Sequence, residues 1–148
     1  MTKVYIASDH AGVDLKSLLK NRVESNGLAV EDLGPDTYEA VDYPDYAHKV
    51  AKKISNEPDT IGVLLCGSGN GVSITSNKWK NVRAAICWNS EIATLARLHN
   101  NANILCIPSR FVSVEDAIDI LDYFLETKFE GGRHERRVNK IHIPTNLI

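Results

Sequence analysis

The chain has 148 residues, of which 43% are hydrophobic and 24% charged, and its net charge is −2. That is the balance of an ordinary soluble globular protein, and the length fits one domain, 1–148, able to bury a core without a staple. The near-neutral charge excludes a global pull toward nucleic acid or a membrane surface, and no run approaches the ~20 apolar residues of a membrane span.

Short β-branched runs alternate with amphipathic ones along the chain. "KVYIAS" (3–8) reads as the first strand, and Leu15, Leu18, Leu19 and Arg22 mark one face of the helix after it. Gly27 stands where that helix needs a C-cap. "LAVEDL" (28–33) is the second strand. The second helix is entered by "DYP", with Pro44 suited to its first turn, and Ala47, Val50, Ala51 and Ile54 share its apolar face. "TIGVLLC" (60–66) is apolar throughout, as a central strand is when both faces are covered. "VRAAIC" (82–87) and "NILCI" (103–107) follow as strands, with a helix between them whose Ile92, Leu95, Ala96 and His99 lie on one side. Val114, Ala117, Ile118, Leu121 and Leu125 mark the fifth helix, opened by Ser113 and Asp116 at capping-box spacing. Beyond it, "FEGGRHERRVNKIHIP" breaks at Gly131-Gly132 and begins a short basic helical tail (131–148) that Pro144 closes. Strand–helix alternation of this kind predicts parallel strands covered on both faces, an α/β sandwich with an appendage.

The three cysteines, Cys66, Cys87 and Cys106, each end or interrupt an apolar run. An odd count in such settings argues against a disulfide framework and for a reducing compartment. The opening apolar run is too short for a signal peptide and Asp9 breaks it, so the cytoplasm is the expected location.

In open α/β sheets, ligands bind beyond the carboxyl ends of the strands, where helix N-termini present free amides. That rule selects "SDHAG" (8–12), "CGSGNG" (66–71) and "PSR" (108–110). Cys66 ends a strand immediately before glycines, where a helix start favours thiolate; Cys87 and Cys106 sit inside strands as small buried residues. "GSGNG" lacks the spacing of a dinucleotide fingerprint and the Gly-Lys-Ser/Thr ending of a P-loop. A cysteine phosphatase would carry arginine six residues past its thiol, where Val72 stands. What remains is a tight turn, or a loop whose bare amides approach a small oxyanion. Asp9 is either a helix cap or a ligand to substrate. His99, on the apolar face of its helix, is either a core histidine or a site residue, and in the second case it joins the thiol only through unusual geometry or from a neighbouring subunit. His48 lies on the polar face of its helix with lysines and reads as solvated. Arg133 and Arg137, four apart, either converge on one anion such as a sugar phosphate or belong to a solvated basic helix partnered by Glu130 and Glu135. No aromatic platform accompanies them, which speaks against nucleic acid.

Taken together and in register, "SDHAG", "DYPDYA", "LLCGSGNG", "RLHNNANIL", "SR" and "EGGRHERRV" resemble the type B ribose-5-phosphate isomerases and their galactose- and allose-6-phosphate relatives. The resemblance implies a three-layer α/β/α sandwich around a five-stranded parallel, Rossmann-like sheet. It implies a homodimer, or a dimer of dimers, with each site shared across the interface, and it calls for no cofactor and no metal. The activity implied is interconversion of ribose 5-phosphate and ribulose 5-phosphate through an enediolate, in the non-oxidative pentose phosphate pathway. Cys66 matches the family's base, the amides of Gly67, Gly69, Asn70 and Gly71 its oxyanion donors, and Ser68 a hydroxyl that relays a proton. His99 matches the ring-opening residue. Asp9 and Tyr43 match groups that hold sugar hydroxyls, and Asn100 one near the reacting end. His10, Arg110, Arg133 and Arg137 match the phosphate set, and His134 a further family position. Pro108 stands where relatives usually carry glycine, and Trp88 is bulky beside the fourth strand; both bear on substrate length. A hexose 6-phosphate substrate, or a sugar-phosphate sensor without turnover, are the alternatives.

Overall fold

The structure, a computed structural model, describes residues 3–148. Five strands, β1 (Lys3–Ser8), β2 (Ala29–Asp32), β3 (Thr60–Cys66), β4 (Ala84–Ile86) and β5 (Ile104–Pro108), pair in parallel in the order β2-β1-β3-β5-β4. The helices are α1 (Val13–Ser25), α2 (Tyr43–Asn56), α3 (Asn70–Ser76), α4 (Ser90–Asn100), α5 (Val114–Glu126) and α6 (Arg133–Asn139). Parallel neighbours need crossover connections, which the first five helices supply or flank.

β3 is central and all seven of its residues are buried. Its side chains alternate between two cores. Val63 and Leu65 join the cluster built with Leu19 and Val23 of α1, Ala93 and Ala96 of α4, and Ile120 and Phe124 of α5. Leu64 and Cys66 face the other way, onto Ala47, Val50 and Ile54 of α2 and Val72 of α3. Helices on both faces of one sheet make three layers, as the resemblance implied. Among the described residues no helix is long and apolar enough to cross a membrane.

The α2 face is as the sequence reads, with Ala47, Val50, Ala51 and Ile54 all buried. Gly27 adopts φ +82° just past the α1 C-cap, and Ser113 Oγ accepts from the Asp116 amide at 3.0 Å. The expected face of α1 is rotated. The buried residues are Val13, Lys16, Leu19 and Val23, whereas Leu18 is exposed and Arg22 pairs with Asp122 of α5 at 2.7 Å. The cause is Lys16, 1% exposed: its ammonium donates to both Asp32 oxygens at 2.7 and 2.9 Å and to the Pro35 carbonyl at 2.8 Å. A lysine so satisfied can bury its stem, and an apolarity pattern does not anticipate it. In α4 the packed residues are Ala93 and Ala96, and in α5 the expected Val114 is exposed while Ile120 and Phe124 are buried. The edge strands β2 and β4 are shorter than the apolar runs that mark them.

Strand order reverses between β1 and β3, so their carboxyl ends open a crevice between them. Ser8 pairs with Leu65 there, and the Asp9 amide donates to the Leu65 carbonyl at 3.0 Å. Asp9 and Cys66 therefore leave the sheet side by side.

Candidate active site

The chain leaves β3 at Cys66 and turns through Gly67, Ser68 and Gly69 into α3. Gly69 adopts φ +78°, a left-handed conformation that a Cβ would strain. In that conformation its N–H donates to Cys66 Sγ at 3.2 Å. That donor holds the sulfur in place at the start of α3. β5 is fastened to the same turn: the Ser109 amide and hydroxyl both donate to the Cys66 carbonyl, at 2.9 and 3.2 Å, and the Arg110 amide donates to the Gly67 carbonyl at 3.1 Å. The Arg110 side chain consequently lies over Gly67, where an added Cβ would stand 3.2 Å from Nη1.

Above the thiol is an open cavity of about 460 Å³. Asp9, Tyr43, Ser68, Gly71 and Arg110 line it with Cys66 and Gly67, as does Phe111, which the sequence reading did not single out. Phe111 is 76% exposed, and nothing in its local pattern marks it; only its position after Arg110 does. Tyr43 opens α2 and its ring occupies the space a Cβ on Gly71 would need. Asp9 Oδ1 caps the turn by accepting from Ala11 N at 2.9 Å, and the residue also lines the cavity. His10 Nδ1 accepts from the Val41 amide at 3.2 Å, so the neutral ring carries its hydrogen on Nε2, as a donor. Two of the amides counted as oxyanion donors are already engaged: Gly69 N–H with Sγ and Asn70 N–H with Ser68 Oγ at 3.3 Å.

The other two thiols are unlike Cys66. Cys87 and Cys106 have no solvent exposure; burial pushes the Cys87 thiol up to about 12 and raises Cys106 further. Neither is a nucleophile at neutral pH.

A second group of expected residues is elsewhere in the chain. α4 starts beyond β4 and runs back for eleven residues, about 16 Å, before reaching His99 and Asn100. His99 there stacks on His134 of α6, with ring centroids 4.2 Å apart and planes 13° from parallel. Glu130 Oε2 stands 3.9 Å from His99 Nε2 and 3.6 Å from His134 Nε2. Burial, then the nearby His99, holds the His134 imidazole below its ordinary 6.5. Arg133 and Arg137 lie on the same short helix, both exposed. None of these residues lines the cavity over Cys66. Two further cavities, of about 350 and 540 Å³, contain none of the expected site residues. His48 is not merely solvated, since its Nδ1 accepts from the Trp79 indole at 2.9 Å.

The strand order and the pocket at its reversal define an α/β protein with a cavity at the carboxyl edge of a parallel sheet and a thiol at its floor. The chain belongs to the ribose/galactose isomerase family, whose model matches residues 4–141. It is 49% identical over 139 residues to a probable ribose-5-phosphate isomerase B of Mycoplasma pneumoniae, covering 93% of this chain and 91% of that one. It is 39% identical over 141 residues to ribose-5-phosphate isomerase B of Escherichia coli, covering 95% of each. Among solved structures, ribose-5-phosphate isomerase B of Mycoplasma genitalium with bound ribulose-5-phosphate superposes with a TM-score of 0.93 at 46% identity, covering 95% of this chain and 93% of that one. A ribose 5-phosphate isomerase of Thermotoga maritima gives 0.90 at 53% identity, with 95% and 97% covered.

Proposed function

We propose that the chain is a ribose-5-phosphate isomerase that interconverts ribose 5-phosphate and ribulose 5-phosphate, with Cys66 as the base. The observation that carries this is the amide of Gly69 held on Cys66 Sγ at the floor of a cavity that Asp9, Ser68 and Arg110 enter.

In the open-chain aldose, the Cys66 thiolate removes the proton from C2. The C–H electrons form the C1=C2 bond, and the carbonyl electrons move to O1 as an enediolate oxyanion. Backbone donors of the 67–71 turn not already engaged stabilise that charge as it develops. Ser68 passes the O2 proton to O1, and the thiol returns its proton to C1, leaving a ketone at C2. Asp9 and Tyr43 hold sugar hydroxyls. His10, through its Nε2 hydrogen, and Arg110 grip one side of the phosphate.

The remaining groups come from a second copy of the chain. His99, which opens the furanose, with Asn100, Arg133, His134 and Arg137, lines no part of the cavity over Cys66 in its own chain. A homodimer that sets the α4–α6 end of one copy over the Cys66 end of the other completes each site. A single domain, a cytoplasmic location and a metal-free reaction belong to the same reading.

The test is to supply pure protein with ribose 5-phosphate and follow ketose formation, with and without chelator. Cys66→Ala is expected to slow turnover by about 10²–10⁴-fold, the usual share of a general base. Near-normal turnover would remove Cys66 from the role. Comparing kcat/KM with allose 6-phosphate decides between pentose and hexose. Tight binding without turnover by the wild type would make the chain a sensor.

A further inference from the structure

His99, Glu130 and His134 present one ligand atom each, all within 4.8 Å of one another. Both imidazole Nε2 atoms aim at the same carboxylate oxygen, at 3.9 and 3.6 Å. His134 is 7% exposed and its Nε2 is buried without a hydrogen-bond partner. The arrangement is anchored from below: the Glu130 amide donates to the Leu98 carbonyl of α4 at 3.1 Å, and the His134 amide to the Gly131 carbonyl at 3.1 Å. A buried imidazole nitrogen with nothing to bond is an unsatisfied group that calls for a partner.

We propose that His99, Glu130 and His134 form a binding site for a zinc-class divalent cation, and that the ion inhibits by taking the His99 nitrogen. Two imidazoles and one carboxylate are the donor set of a three-ligand zinc centre with a fourth position left to water. Bonds of about 2.0–2.1 Å in a tetrahedron set ligand atoms roughly 3.3 Å apart, so the two nitrogen–oxygen separations contract by roughly half an ångström and the imidazole pair, within 4.8 Å, closes by up to about 1.5 Å. The stacked rings also have to splay, because each lone pair lies in its ring plane. His99, 40% exposed at its side chain, is the ring with room to swing, and the buried His134 stays as the fixed ligand. Arg133 and Arg137 act on His134 through their charge and oppose any cation. Only coordinate bonding to nitrogen overcomes that opposition, which selects zinc or cobalt over magnesium and calcium, whose preferred ligands are oxygens.

Cation binding at this site does not depend on the proposed reaction; inhibition does, through the role given there to His99. The two are measured apart. Metal-stripped protein without sugar is titrated with Co²⁺ and the visible bands of a four-coordinate ion are followed, then displaced with Zn²⁺. About one ion per chain is expected, bound at least ~10-fold more weakly by Glu130→Gln and by His134→Gln, unaffected by Cys66→Ser, and not displaced by Mg²⁺. Glu130 is exposed, so its variant keeps the fold. Absence of those bands, equal binding by both variants, or loss of binding in Cys66→Ser would overturn the site. If isomerisation is measured, Zn²⁺ slows it in wild type, and Glu130→Gln shifts the inhibitory concentration upward by the same factor as its affinity. Binding without inhibition of an active enzyme overturns the inhibitory role alone.

Discussion

The amide of Gly69 donates to Cys66 Sγ at 3.2 Å, and it reaches that sulfur only from a backbone at φ +78°. The geometry at the thiol is thereby set by a residue with no side chain. Gly69→Ala should cost about 1–2 kcal/mol of stability, the usual penalty of a Cβ in the left-handed region. It should also lower kcat more than it raises KM, because the amide leaves the sulfur and not the sugar. Thermal unfolding together with steady-state kinetics checks both, and an unchanged kcat would separate the hydrogen bond from turnover.

Only one thiol should react in the folded protein. Cys66 is 5% exposed beneath an open cavity, whereas Cys87 and Cys106 are fully buried and burial holds both protonated, Cys87 up to about 12. Iodoacetamide at mildly alkaline pH is expected to add one adduct per native chain and three after denaturation, read by intact mass. Peptide mapping should place the native adduct on Cys66.

Removing the buried ammonium of Lys16 should be expensive. It is the shared partner of Asp32 and the Pro35 carbonyl, and Lys16→Met leaves Asp32 with only the Gly34 amide, at 2.8 Å. Breaking one side of such a pair costs about 3–5 kcal/mol. Adding Asp32→Leu should recover part of that loss, since no charge is then stranded. Urea unfolding of Lys16→Met, Asp32→Leu and the double variant measures the coupling.

Stability should also respond to the depressed His134 imidazole. Its folded value lies below the ordinary 6.5 because burial disfavours the cation and His99 adds to that. The unfolded chain then binds the proton first, so stability falls as pH drops through 6.5 and levels off below the folded value. His134→Gln should flatten that segment of the stability–pH curve.

Much of the fold was legible along the chain. The unbroken apolarity of residues 60–66 marked the central strand, and the α2 face was read residue by residue because its outward positions are plainly polar. The α1 face was misjudged because Lys16 turns inward, and what allows this is Asp32, sixteen positions away and brought near by β2. The place of Cys66 between a strand and glycines marks the end of β3, where the cavity opens. Phe111 carries no such signal, and Glu130 reads only as a partner of the tail arginines, since one enters its cavity and the other meets two histidines only after distant elements pack.

The sequence by itself determined the order of strands and helices and the thiol-bearing turn, because both depend on contacts a few residues apart. Tertiary structure alone decided that His99 and His134 stack on each other, apart from the cavity over Cys66. Helix length and direction, not residue type, set that separation, and periodicity within one element carries no information about what a neighbouring element brings to its end.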